Sequence, residues 1–241
     1  MRPPRVYTDM LMNESLLATL GFGFVLGLKH ATEADHLAAV STIVSERRSI
    51  WHSAVVGALW GIGHTGALLL AGFLVLGLGF VIPERVADFL ELGVAVMIIV
   101  LGMRLLHMHI HKHAHGGKSH IHLHFEDDRH SGGAHSGLGG WRPVAVGVVH
   151  GLAGSAALTL LVLSQVVHYG GAGLGFAYLI VFGLGSLIGM LLMSSLIGLP
   201  FCFGSRLLHR NVLSLRLLTA ILSTGFGVVY ALRTLEKLGM F

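Results

Sequence analysis

Five ionisable side chains fall within the eight residues from Lys29 to His36, in the stretch "KHATEADHLAAV", directly after the apolar run "LLATLGFGFVLGL". Imidazole nitrogen suits nickel, cobalt, copper and zinc, and a carboxylate either ligates such an ion or orients a ligating histidine through its other ring nitrogen. His30, Asp35 and His36 are therefore the first candidates to hold a divalent transition metal, with His64 in "WGIGHTG" and His150 in "GVVHGLA" as further ones. His150 reads equally well as a histidine that hydrogen-bonds one helix to another, and His64 keeps a packing alternative. Lys29 and Glu33 are four residues apart and read as an ion pair on one helix face. Met190 and Met193 read as packing before thioether ligation. Ser155, Ser186 and Thr65 either line a polar path or bond to backbone carbonyls.

A second histidine cluster differs in kind. "HMHIHKHAHGGKSHIHLHFEDDRHSGGAH" holds ten of the seventeen histidines between His107 and His135. Its glycines, charges and lack of helical period predict a flexible loop, and histidine-rich tracts bind metal. His107, His109, His111, His113, His115, His120, His122 and His124 are the accessory metal-binding candidates. Flexible multidentate binding discriminates weakly among metals, so the tract reads as a collector, buffer or sensor, or as a plain hydrophilic linker.

The segments that must position the first cluster are membrane-like. Of 241 residues, 54% are hydrophobic and 12% charged, and the mean hydropathy is +0.76, far above a soluble globular domain. At about 20 apolar residues per span, six groups emerge: roughly Glu14 to Val44, Trp51 to Ile82, Val86 to His107, Pro143 to Val167, Leu174 to Phe203 and Val212 to Leu235. Alternating strand-length segments are absent, so the expectation is an all-α polytopic membrane protein of six transmembrane helices and not a β-barrel.

The first apolar run, Ser15 to Leu28, would be about 21 Å long at ~1.5 Å per residue, short of the ~30 Å hydrocarbon core. The charged cluster therefore lies inside the membrane, where ionisable residues are costly and mark ion or proton paths. At ~100° per residue, a straight helix would set His30 about 140° from Asp35 and about 120° from His36. Either the three act separately or the helix is broken between Ala31 and Ala34; a break is the expectation.

Orientation follows from fifteen of the sixteen Lys and Arg, the other, Lys29, lying within the first span. Five, Arg2, Arg5, Arg85, Arg233 and Lys237, fall on the side of the termini, and ten fall on the other, among them Arg47, Arg104, Lys118 and Arg216. The positive-inside rule then places both termini outside and the histidine-rich loop in the cytoplasm. Basic charge gathered at helix ends also argues against a nucleic-acid partner. A single cysteine, Cys202, excludes an intrachain disulfide and a cysteine zinc site. Arg2 and Arg5 ahead of an apolar run suit a signal peptide, but no Ala-x-Ala-like site follows, so the N-terminal segment reads as part of the fold.

The two halves of the chain align. "GLKHATEADHLA" from Gly27 matches "GVVHGLAGSAAL" from Gly147, pairing His30 with His150 at an offset of 120, and "WGIGHTG" matches "FGLGSLI" at 122. "GMRLL" and "ALRTL" pair Arg104 with Arg233 at 129. Three spans per half make a 3+3 inverted repeat, a plan of secondary transporters with midplane sites: residues 1–106 and 142–241 as the repeats, joined by the loop at 107–141.

With these motifs in view, "GLKHATEADHLAAV", carrying His-x4-Asp-His as His30, Asp35 and His36, resembles the signature of the nickel/cobalt transporter (NiCoT) family and its wider superfamily. "WGIGHTGALL", with His64, is similar to the superfamily's second histidine motif, and "VGVVHGLAGSAALTLL" resembles its short urease-accessory-type branch. The resemblance implies a secondary permease of a bacterial-type plasma membrane with signature residues His30, Asp35, His36 and His64. Ni2+ or Co2+ is then transported substrate; no resident cofactor and no enzymatic activity are expected. The expected partners are the divalent ion and the lipid bilayer, with a cytoplasmic metallochaperone as a candidate. Two departures stand out: uptake members of the family are predicted to have eight spans, and their later acidic helix motif has no close copy here.

Uptake is favoured over efflux. Alternatives of other classes are a membrane metalloenzyme, which would need a placed base and an open coordination position, and a membrane-anchored metal sensor or buffer. H-E-x-x-H is absent, as is G-x-x-x-x-G-K-[ST], so an ATP-driven mechanism would need a partner.

Overall fold

The computed structural model describes residues 5–47, 49–80, 82–115, 118–123, 140–153, 156–207 and 209–240. Among them, helices α1 (Arg5–His30), α2 (Ala34–Val44), α3 (Ile50–Gly72), α4 (Glu84–His109), α5 (Trp141–Ala153), α6 (Ala156–Leu207) and α7 (His209–Lys237) carry the fold. α3 continues through a π-helical turn, Phe73–Gly77. α6 is bent where Gly171 takes a φ of 73°, a conformation that glycine adopts without a Cβ penalty.

Four stretches are long and apolar enough to cross a membrane: Ile50–Gly77, Glu84–Met108, Gly170–Phe203 and Val212–Lys237. A fifth is formed if Glu14–His30 and Ala34–Val44, bent by 54° at a short break, make one span. The sixth expected group, Pro143 to Val167, falls on α5 and the start of α6, which are parted at 154 and 155, outside the described residues. Large apolar side chains such as Leu17, Phe22, Ile62, Phe89 and Leu222 point outward. Such a surface fits a lipid surround, where helices satisfy their backbone groups internally.

Inside, Ala31, Ala39, Val40, Val56, Trp60, Val94, Ile98, Ala153 and Met190 form one apolar cluster around the break after α1, and Val166, Tyr178, Leu179 and Phe182 form another. Glycines let the helices close on these clusters. A Cβ on Gly27 would strike the Phe182 carbonyl oxygen and the Ser186 nitrogen, and a Cβ on Gly147 would strike the Trp60 carbonyl oxygen and the His64 nitrogen. These contacts copy one another, because Gly147 stands 120 beyond Gly27 while Phe182 and Ser186 stand 122 beyond Trp60 and His64. Gly102 meets the Ala220 carbonyl and Gly227 the Ala95 carbonyl in the same reciprocal way, now at an offset of 125. The contacts thus relate α4 to α7 about one helical turn away from the 129 that pairing Arg104 with Arg233 suggests.

Past α4 the backbone pairs as an antiparallel hairpin, β1 (Ile110–His115) with β2 (Lys118–Leu123), with His111 opposite His122 and His113 opposite His120. A flexible loop was the expectation over this stretch; the alternation of histidine with other residues has a period of two, which favours paired strands. His124 lies outside the described residues.

Candidate metal site

The break after α1 is built locally. The Thr32 hydroxyl donates to the Lys29 carbonyl at 2.6 Å, and the Thr32 and Glu33 amides fold back onto the carbonyls of Lys29 and His30 at 2.9 and 3.1 Å. Glu33 is then extended, at φ −68° and ψ 152°, and caps α2. The partly negative C-terminus of α1 and the partly positive N-terminus of α2 therefore meet at one place inside the bundle. Asp35 sits in the first turn of α2, where a negative charge is favoured, and accepts the His36 backbone N–H at 2.9 Å.

Four histidines converge on this break, and all are buried: His30, His36, His64 and His150. His30 Nε2 lies 3.2 Å from His64 Nε2. One ligand atom each from His30, His36 and His64 lies within 4.8 Å of the others, and the same holds for Asp35, His36 and His150. His36 belongs to both sets, its ring centroid 4.4 Å from that of His30 and 4.0 Å from that of His150. Trp60 stacks on His36 at 5.5 Å. His30 lies against Phe182, and His150 against Trp60, each at 5.6 Å.

Carboxylates orient the rings. Glu33 Oε2 is 3.1 Å from His30 Nδ1, and Asp35 Oδ1 is 3.0 Å from His36 Nδ1. A carboxylate accepts, so each Nδ1 donates its proton and the lone pair falls on Nε2, which in His36 has no partner and in His30 faces His64 Nε2. The second Asp35 oxygen, Oδ2, accepts from His150 Nε2 at 2.9 Å. His36 Nε2, His64 Nδ1 and His150 Nδ1 are buried without a hydrogen-bond partner. Leaving a buried polar atom unpaired costs about 1–3 kcal/mol, a cost that a bound ion would offset, and imidazole nitrogens beside carboxylates suit a borderline transition-metal dication.

Of the residues singled out in the sequence, the structure brings together His30, Asp35, His36, His64 and His150, from α1, α2, α3 and α5. The expected Lys29–Glu33 ion pair is replaced: the chain leaves the helix after His30, the i,i+4 geometry is lost, and Glu33 bonds His30 instead. Glu33 is thus a residue of the site that sequence spacing assigned elsewhere. Trp60 and Phe182 were also passed over, although they occupy matching places in the two aligned halves. Thr65 donates to the Gly183 carbonyl at 3.1 Å, and Met190 is buried in the apolar cluster, so both have packing roles. Ser186 Oγ is buried and unpartnered, while Ser155 lies outside the described residues. Cys202 is buried, its sulfur 3.9 Å from the Arg47 carbonyl.

The chain is 36% identical to the urease accessory protein UreH of Bacillus sp. (strain TB-90) over 215 residues, covering 89% of this chain and 91% of that protein. It is 33% identical to the high-affinity nickel transport protein of Cupriavidus necator over 79 residues, 32% of this chain and 22% of that protein. No protein-family model and no solved structure matches the chain.

Proposed function

This chain belongs to the nickel/cobalt transporter superfamily, in its short urease-accessory-type branch, and on that premise we propose that it is a secondary permease for Ni2+, with Co2+ as the second candidate. The observation that carries the reading is the burial of His30, His36 and His64 with their ligand atoms within 4.8 Å of one another at a helix break. In this reading the incoming ion sheds most of its water against those three imidazoles. Asp35 and Glu33 hold the rings and contribute negative charge, and the ion leaves when the two halves rock about the site.

The halves are α1 to α4, and α5 to α7, each crossing the membrane three times in opposite senses. The copied contacts of Gly27 and Gly147, and of Gly102 and Gly227, support this repeat. Ten Lys and Arg against five support external termini and a cytoplasmic histidine tract. Uptake is the proposed direction, with the tract collecting metal that has arrived. Flux of nickel, cobalt, zinc and manganese into proteoliposomes tests the proposal. Nickel flux that disappears in His36→Ala is expected, and equal flux in mutant and wild type would sink the site.

A further inference from the structure

Two ligand sets share one residue, and that arrangement bears on how a tightly held ion is released. A dication enclosed by three imidazoles in a dry site is bound well, whereas conduction needs sites that are also easy to leave, which adjacent overlapping positions provide. Here His36 stands between His30 and His150, with ring centroids 4.4 and 4.0 Å away. Its Nδ1 edge lies on Asp35, whose other oxygen meets His150, and its Nε2 is buried and unpartnered. The two flanking histidines occupy equivalent places in the halves, at an offset of 120. Each also lies 5.6 Å from the aromatic residue that is equivalent in its surroundings, Phe182 for His30 and Trp60 for His150.

We infer that the cluster is two metal stations with His36 in common: an all-imidazole station of His30, His36 and His64, and an imidazole and carboxylate station of Asp35, His36 and His150. The ion passes from one to the other while His36 Nε2 stays bound to it, exchanging His30 and His64 for Asp35 and His150, so at no point does it lose all its protein ligands in the apolar interior. The first station lies wholly on α1, α2 and α3 in one half, whereas His150 comes from α5 in the other, so rocking the halves brings His150 to the ion or takes it away and leaves the first station whole. The first station sets how much metal is needed to load the site, and the second sets how fast the ion leaves. The inference rests on the permease reading above and assigns His150 to release.

Initial-rate nickel flux in proteoliposomes of the full-length protein separates the two roles. Glutamine at position 150 still offers an N–H to Asp35 but no imidazole, so His150→Gln keeps the hydrogen bond and removes the ligand. The expected result is a maximal flux lowered by roughly tenfold or more, the size of effect typical of lost metal-site groups, with the half-saturating nickel concentration and the thermal unfolding temperature little changed. His64→Gln should instead raise the half-saturating concentration, and His36→Gln should abolish flux. Wild-type flux in His150→Gln overturns the second station, leaving His150 a packing residue. A half-saturating concentration raised as in His64→Gln overturns it too, because a single site then holds all four histidines. Absence of nickel flux in the wild type overturns the permease reading itself, and with it the stations.

Discussion

Replacing Glu33 tests whether the carboxylate beside His30 serves the metal site or the protein surface. Glu33 Oε2 bonds His30 Nδ1 at 3.1 Å, with the Glu33 side chain 41% exposed and that of His30 only 3%. Glu33→Gln keeps an acceptor for the Nδ1 proton and removes the charge. A net hydrogen bond to a charged group contributes ~1.5–3 kcal/mol against ~1 kcal/mol for a neutral one, and the exposure of Glu33 leaves the lower part of that difference after solvent screening. About 1 kcal/mol remains, or roughly a fivefold rise in the nickel concentration that half-saturates flux. Glu33→Ala removes the acceptor as well, and the loss should reach ~10-fold or more, as for other groups that orient metal-binding histidines. Lys29→Met is the control, since Lys29 takes no part in the site as described. Half-saturating concentrations within about twofold of wild type for both Glu33 variants would refute the orienting role, since lost orienting groups cost ~10–100-fold. A Lys29→Met effect larger than that of Glu33→Gln would restore the ion-pair reading.

Other expectations follow from the same contacts. Asp35→Asn puts an amide where one carboxylate accepts from the His36 amide, His36 Nδ1 and His150 Nε2; nickel affinity should fall by ~100-fold, measured by isothermal titration, while the circular dichroism of the helices is kept. Gly27→Ala and Gly147→Ala each drive a methyl group into a backbone carbonyl of the facing helix, and each should cost about 1–3 kcal/mol of stability, read as a lowered unfolding temperature in detergent. Removing residues 107–135 should leave nickel flux in place and reduce the number of metal ions bound per chain at saturation, counted by equilibrium dialysis.

What could be read in advance was governed by spacing. An apolar run of 14 residues ending at Leu28 is too short to span a bilayer by itself, and three residues that no straight helix can bring to one ion left either separate roles or a break, the break being preferred; the chain does leave the helix between His30 and Ala34. His64 and His150 could be named from their motifs, but only packing reveals that they arrive from α3 and α5 at the same place. Glu33 was legible as an acid and illegible as a partner of His30, because the i,i+4 rule that paired it with Lys29 holds only while the helix continues. The contacts of Gly102 and Gly227 relate α4 to α7 at an offset of 125 and not at the 129 that pairs Arg104 with Arg233, because arginines at helix ends are set by the membrane surface whereas these glycines are set by contact. The hairpin was missed because glycine and charge outweighed a period-two pattern that needs only backbone pairing to be satisfied.

X-ray absorption at the nickel edge of the protein carrying one equivalent of Ni2+ asks whether nickel sits among His30, His36 and His64. The expected spectrum shows imidazole scattering from about three histidines at the Ni–N distances of ordinary coordination, with that contribution reduced in His36→Ala. A spectrum unchanged by His36→Ala, whatever its ligand count, would place the ion elsewhere and rule out His36 as its ligand.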